Sequence, residues 1–439
     1  MNAPFYEKIK KYAEDDSVIR FHMPGHKGKA DLGFDPIMKY DVTEVEKTDN
    51  LYFPQEALKE AEELAAKLFG VKRTVFCAGG ATLGNQTALS FFRKKKVLFE
   101  RNIHISAFNA AMLLDIEPVF VYNRFDKKTG VVLPIEKKDI EKALKNDSEI
   151  SAVFLTSPNY YGLCADCEEI KNVCKQNGAM LIVDNSHGAH LKFVGDENDP
   201  TVKGNHCADI IIDSAHKTLP VLTGGAFIHF NIEVEREDVC ARMLAFGSTS
   251  PSFLITSSLD FARAWCEENR EKFRKTRKRI DALKNELENN RITVVSAPIY
   301  DPLRLCIATE DAEKIDEELQ KRNIIPEMCS GQCIVFMFSP FNSDEEFDAL
   351  KKTLIELKPK APKETDDYSF PKTEFVCAPK DAYFGKATEI SLDCATEKTA
   401  ARSVIPYPPG VPILFPGERI TEETVSYLKK HNTDKVKII

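Results

Sequence analysis

No stretch of the 439-residue chain approaches the ~20 consecutive apolar residues that cross a bilayer. A membrane-spanning protein is therefore not expected. The N-terminus, MNAPFYEKIKKYAEDD, lacks the apolar centre of a secretory signal. A basic excess is missing too: 60 Lys and Arg face 68 Asp and Glu, a formal charge of -8. Such a chain is a poor general binder of nucleic acid, because phosphate backbones demand a basic surface. No internal repeat or low-complexity tract appears. The 43% hydrophobic and 29% charged fractions are those of an ordinary globular protein of two or three domains. Twelve cysteines are present without a disulfide framework. Cys164-x-x-Cys167 with Cys174 has no second Cys or His pair at metal spacing, and Cys167 and Cys174 share one helical face. These read as reduced core thiols, with no metal. A cytoplasmic protein is the expectation.

From about residue 50 to 230, apolar β-rich runs alternate with amphipathic helical patterns. The expected strands are 74–77, 97–100, 118–122, 152–156, 180–184, 210–213 and 226–230. The expected helices are 55–69, 84–95, 106–115, 136–146 and 166–177. This alternation predicts an α/β fold with a mostly parallel sheet covered on both faces, and a ligand site beyond the strands' C-terminal ends. One long charged helix is expected over 257–289. Strands 292–296, 303–309 and 334–338 with helix 311–322 suggest a smaller α+β unit. An extended linker is read at 357–372, and the Tyr407-Pro408-Pro409-Gly410-Val411-Pro412 segment is too proline-rich for a helix. The expected division is an arm at 1–48, a large domain at 49–290 and a C-terminal domain at 291–439.

Three features fall at expected strand ends. Gly79-Gly80-Ala81-Thr82-Leu83-Gly84-Asn85 joins a strand to a helix, a place where backbone N–H groups can face an anion. It is no Walker loop, since no lysine follows in register. Asp184 ends the run Met180–Val183, where a cap is the bland alternative. Ser214-Ala215-His216-Lys217-Thr218 follows the strand ending at Asp213; its lysine can condense with an aldehyde while the Ser and His donate to a phosphate. An anion cradle, a strand-end carboxylate and a Ser-x-His-Lys turn, in that order, are what a pyridoxal 5'-phosphate site needs.

The chain resembles the bacterial ornithine/lysine/arginine decarboxylases, pyridoxal-phosphate enzymes of fold type I with an aspartate-aminotransferase-like large domain and a seven-stranded sheet. The matching stretches are FHMPGHKG (21–28), ERNIHIS (100–106), TSPNYYGLCAD (156–166), VDNSHGAH (183–190), DSAHKTLPVLTGGAFIH (213–229), STSPS (248–252) and IPYPPGVPILFPGE (405–418). The resemblance implies that Lys217 carries the cofactor and Asp184 faces its ring nitrogen. It makes His104 the stacking imidazole and sets His187 beside the ring. Gly80, Ala81 and Thr82, with Ser214 and His216, would hold the phosphate. Ser248, Thr249 and Ser250 would reach the neighbouring subunit's site, so a homodimer or higher homo-oligomer is implied. Gly79-Gly80-Ala81 stands where the family often has Asn-Gly-Ser or Asn-Gly-Thr. Asn185, Ser186, Ile105 and Glu397-Lys398 are further departures. The N-terminal wing domain of the large members is expected to be missing.

The activity implied is decarboxylation of a basic amino acid: arginine first, then lysine, then ornithine. Lys217 or His216 is the candidate acid for returning a proton to Cα. Transamination or lyase chemistry on the same scaffold is the alternative, and a non-catalytic paralogue the third possibility. Arg304 and Arg402 are open as carboxylate ligands for an aminotransferase. A buried distal cation needs a carboxylate. Glu327, after Pro326, is the candidate, with Asp49 in reserve.

Overall fold

A computed structural model describes the chain except residues 30–32, 35, 197, 365–368 and 407–409. Seven strands form the main sheet: β1 (Arg73–Cys77), β2 (Lys96–Glu100), β3 (Glu117–Val121), β4 (Ile150–Thr156), β5 (Met180–Asp184), β6 (Ile210–Asp213) and β7 (Ala226–Phe230). Their order is β1-β7-β6-β5-β4-β2-β3, and only β7 runs antiparallel to its neighbours. Alternate side chains enter different cores, as the pleat requires. Phe99, Phe154, Ile182 and Ile212 join one cluster, while Leu98, Val153, Val183 and Ile211 join another on the opposite face. Both faces are dry, which is why these strands read as near-continuous apolar runs.

A second, antiparallel sheet has the order β10-β11-β9-β8, from β8 (Thr293–Val294), β9 (Arg304–Ala308), β10 (Met328–Ser330) and β11 (Cys333–Met337). It too has two buried faces. Leu305, Ile307, Ile334 and Phe336 extend the first core, and Cys306, Ala308, Cys333 and Val335 enter a cluster with Leu414 and Leu428. A last pair, β12 (Thr388–Ser391) with β13 (Lys435–Ile438), was not expected from the sequence. Its outward residues are charged, so no apolar run marks it.

Two expectations are corrected. The helix expected at 84–95 spans Gly80–Ser90, because Gly80 turns the chain in one residue (φ 68) and the helix begins at once. Most of the glycine segment is thus already in the helix. The long helix at 257–289 is two, Phe253–Glu268 and Arg270–Asn289. Asn269 breaks it: its side-chain amide donates to the Trp265 carbonyl at 2.8 Å, competing with the helix ladder. All 12 cysteines are free, and burial pushes the Cys174 thiol up to about 12, as suits a core thiol. Residues 358–364 and 369–374 have no helix or strand; 365–368 of the expected linker and Tyr407–Pro409 lie outside the described residues.

Candidate active site

The C-terminal ends of β4, β5 and β6 open onto a cavity of about 230 Å³. Of the residues expected to act together, Gly80, Ala81, Thr82, His104, Asp184, His187, Ser214, His216 and Lys217 all line it. Local chemistry sets each one. The helix after β1 begins at Gly80, whose amide donates to the Gly224 carbonyl at 2.7 Å. Its next amides, of Ala81 and Thr82, are first-turn donors with no carbonyl a turn earlier to meet. The helix lies close on the sheet because Gly84 has no side chain; a Cβ there would stand 2.6 Å from Ile212 Cγ2.

Asp184 is 2% exposed and ringed by donors. Its Oδ2 accepts from Asn85 Nδ2 at 2.9 Å, and its Oδ1 accepts from the Ser186 amide at 3.1 Å and from the Ser186 hydroxyl. A hydroxyl and an amide were the only hints to this, and Ser186 entered the sequence reading merely as a departure. Asn85 Nδ2 also reaches Ser106 Oγ at 3.0 Å, and Ser106 Oγ lies 2.8 Å from His104 Nδ1. The Ser106 amide donates to the same His104 nitrogen at 3.2 Å, capping the helix Ile105–Leu113. One network therefore orients both the strand-end carboxylate and the imidazole across the cavity. Burial, then the nearby Lys217, lower the pKa of His104, partly opposed by Asp184.

Lys217 sits in the one-turn helix Ala215–Thr218, its Nζ 3.2 Å from His187 Nε2. Burial lowers its pKa first, Asp184 and Glu327 raise it, and Arg304 lowers it again. His216 is held by its own backbone turn: its amide donates to the Gly225 carbonyl at 3.2 Å and its Nδ1 lies 3.1 Å from the same oxygen. A carbonyl only accepts, so Nδ1 carries the hydrogen and Nε2 is left for the cavity. Sequence reasoning missed Asn102, Thr156, Asn159 and Tyr160, which also line the space. It missed Glu100 as well, a buried carboxyl pushed up to about 7 by burial and by Asp184, against the donors Asn123 and Thr156.

Other expected residues stand elsewhere. Ser248, Thr249 and Ser250 are exposed and do not line the cavity; Ser248 borders a separate groove that shares Thr82 with it. Glu327 is exposed in a second groove. Asp49 does not line the cavity either; its carboxylate accepts from the amides of Asn50, Gln55, Glu56 and Leu58 at 2.8, 3.0, 3.4 and 3.0 Å. Arg402 turns away, donating to the Ala382 and Ala401 carbonyls.

Pyridoxal 5'-phosphate fits what is present. Amide and hydroxyl donors cluster at a positive helix end, a carboxylate stands opposite, and an amine lies between. Asn85 Oδ1, buried beside the carboxylate, has no hydrogen-bond partner within the protein.

Comparison with known proteins agrees with this geometry. Residues 3–306 match the profile of the Orn/Lys/Arg decarboxylase major domain, and residues 365–437 match that of its C-terminal domain. The chain belongs to the Orn/Lys/Arg decarboxylase family. It is a pyridoxal-phosphate-dependent amino-acid decarboxylase of fold type I. Among the relatives of this decarboxylase is the uncharacterized protein YaaO of Bacillus subtilis, 31% identical, covering 98% of this chain and 94% of its own. The arginine decarboxylase of the same organism is 28% identical over 98% of this chain and 93% of its own. The lysine decarboxylase LdcF of Francisella novicida has the same fold, with a TM-score of 0.86 at 19% identity, covering 100% of this chain and 81% of its own.

Proposed function

We propose that this decarboxylase acts on arginine, before lysine and ornithine, with Lys217 as the cofactor lysine. The observation that carries the site is the convergence of Lys217, Asp184, His104 and the Gly80 turn on one cavity at the sheet's C-terminal edge. The choice of arginine is supported by the Bacillus arginine decarboxylase that matches over 98% of the chain. Gly80, Ala81, Thr82 and Ser214 would hold the phosphate, Asp184 the ring nitrogen and His104 the ring face. Bound there, the cofactor supplies a protonated conjugated ring that accepts the electron pair of the breaking Cα–carboxylate bond. His187 and Tyr160 pack beside Lys217. Lys217 Nζ, or His216 Nε2 once protonated, can return the proton to Cα. Of the described residues that line the cavity none is arginine, so the ligand that would retain an α-carboxylate for transamination is not among them.

Carbon dioxide release measured with arginine, lysine and ornithine tests the reading; keto-acid product in place of carbon dioxide would overturn it. In the same assay Glu327 can be tried as the distal partner, since its charge reaches Lys217. Glu327→Gln is expected to raise KM for arginine about tenfold, ~1.4 kcal/mol of binding, with the cofactor absorbance unchanged. Unaltered kinetics would remove Glu327 from the site.

The assembly proposed is a homodimer. Phe21, Met23 and Phe53 are 92, 52 and 67% exposed, apolar surface in or near the arm that a second subunit would cover. Phe21→Glu is expected to yield monomers by light scattering, nearly inactive because the site needs its neighbour's loop at Ser248–Ser250. A fully active monomer would refute this. No helix among the described residues is long and apolar enough to cross a membrane. We place the enzyme in the cytoplasm, a proposal that the 12 free thiols support.

A further inference from the structure

Behind the Lys217 turn runs a line of buried polar groups. His187 Nε2 is 3.2 Å from Lys217 Nζ, and His187 Nδ1 is 3.4 Å from Arg304 Nη2. Arg304 opens β9 and is 1% exposed. Its Nε pairs with Asp301 Oδ2 at 3.5 Å, and Asp301 Oδ1 in turn meets His190 Nε2 at 2.7 Å. Gly162 leaves room for the arginine stem: a Cβ there would lie 2.8 Å from Arg304 Cγ. The Tyr160 ring, centred 4.6 Å from the imidazole, bounds His187 on another side.

A guanidinium has donors and no acceptor. The imidazole nitrogen that faces it must therefore present a lone pair. In a neutral ring the hydrogen then sits on the other nitrogen. We infer that Arg304 is a positioning residue that fixes His187 as the Nε2–H tautomer, so that this N–H donates to the unprotonated amine of Lys217. The opposite tautomer would set an N–H against the guanidinium, two buried donors face to face.

The charges around the pair favour two neutral groups. His187 is held well below its ordinary range by burial, then by Lys217, Arg304, His104 and His190. Lys217 is lowered by burial and by Arg304, against Asp184 and Glu327. The consequence is chemical: an amine must keep its lone pair to attack a carbonyl carbon. Donation from Nε2–H holds Lys217 Nζ in place without giving it a proton. That consequence rests on reading Lys217 as the cofactor lysine; the tautomer does not.

The test is nitrogen NMR of the full-length protein labelled with ¹⁵N-histidine, with and without cofactor, the His187 signals assigned by their loss in His187→Gln. At neutral pH the wild type should show a neutral ring protonated at Nε2. Lys217→Ala should keep that tautomer, because Arg304 sets it, although it should lose the cofactor's absorbance band; retention of the band would count against the lysine assignment alone. Arg304→Met should give a mixture of tautomers and raise the proton affinity of His187 at least tenfold. Arg304→Lys, which keeps a donor and the charge, should restore the Nε2–H form. A wild-type ring protonated at Nδ1 or charged, or an unchanged tautomer in Arg304→Met, would overturn the proposal. Should Arg304→Met not fold, the wild-type spectrum decides alone: Nε2–H supports the inference and any other form refutes it.

Discussion

Lys217→Ala is expected to abolish turnover and remove the absorbance band of the bound cofactor, while circular dichroism stays that of the wild type. No other lysine is among the described residues that line the cavity, so nothing in it replaces the amine. The fold has little to lose. The side chain's one hydrogen bond given by the structure is with His187. Its burial disfavours the ammonium form, so removing it relieves desolvation as much as it deletes a contact. A fall in rate of about a thousandfold or more, some 4 kcal/mol of barrier, is what loss of covalent attachment implies. Retained wild-type turnover would mean that the chemistry uses another group, and the whole site assignment would fall with it.

Much of this site could be read from the chain because its parts stand at strand ends. Ile210, Ile211 and Ile212 are β-branched and fully buried, so the strand and the Asp213-Ser214 boundary after it are plain in the sequence. Leu181, Ile182 and Val183, fully buried before Asp184, mark the preceding strand as plainly. Strand order is another matter: β2 lies between β3 and β4, and β7 inserts between β1 and β6, through pairings that no local pattern encodes. The helix start at Gly80 was hidden by a rule that is usually sound, glycine as a helix breaker. Here its left-handed φ makes the turn into the helix.

The supporting groups were harder. His187 and Arg304 are 117 residues apart, and only the approach of the start of β9 to the C-terminal end of the main sheet makes them neighbours. Asn85, Ser106 and His104 likewise meet where the middle of the helix Gly80–Ser90 packs against the start of the helix Ile105–Leu113. Arg304 was legible as a candidate carboxylate ligand, but not its neighbour: an arginine entering an apolar strand calls for a partner, and residue type does not say which one. Ser248–Ser250 and Glu327 stand outside the cavity that the other candidates line, and no local pattern in the sequence marks that separation.

Asp184→Asn is expected to keep the fold and cost about a thousandfold in rate, ~4 kcal/mol of barrier. The fold should survive because the neighbours can adjust. Asn85 Oδ1 has no hydrogen-bond partner within the protein, and rotating that amide presents an acceptor to the new NH₂. The Ser186 amide and hydroxyl still find the remaining oxygen. A stability loss of about 1 kcal/mol is the expected scale for one altered buried hydrogen bond. The chemistry has no such remedy. A neutral amide cannot hold a pyridine nitrogen protonated, so the electron pair freed from the carboxylate loses its acceptor. Thermal melting and carbon dioxide release from the same preparation separate the two effects. A rate loss below about tenfold, ~1.4 kcal/mol, with an unchanged melting point would reduce Asp184 to a cap on the Ser186 turn.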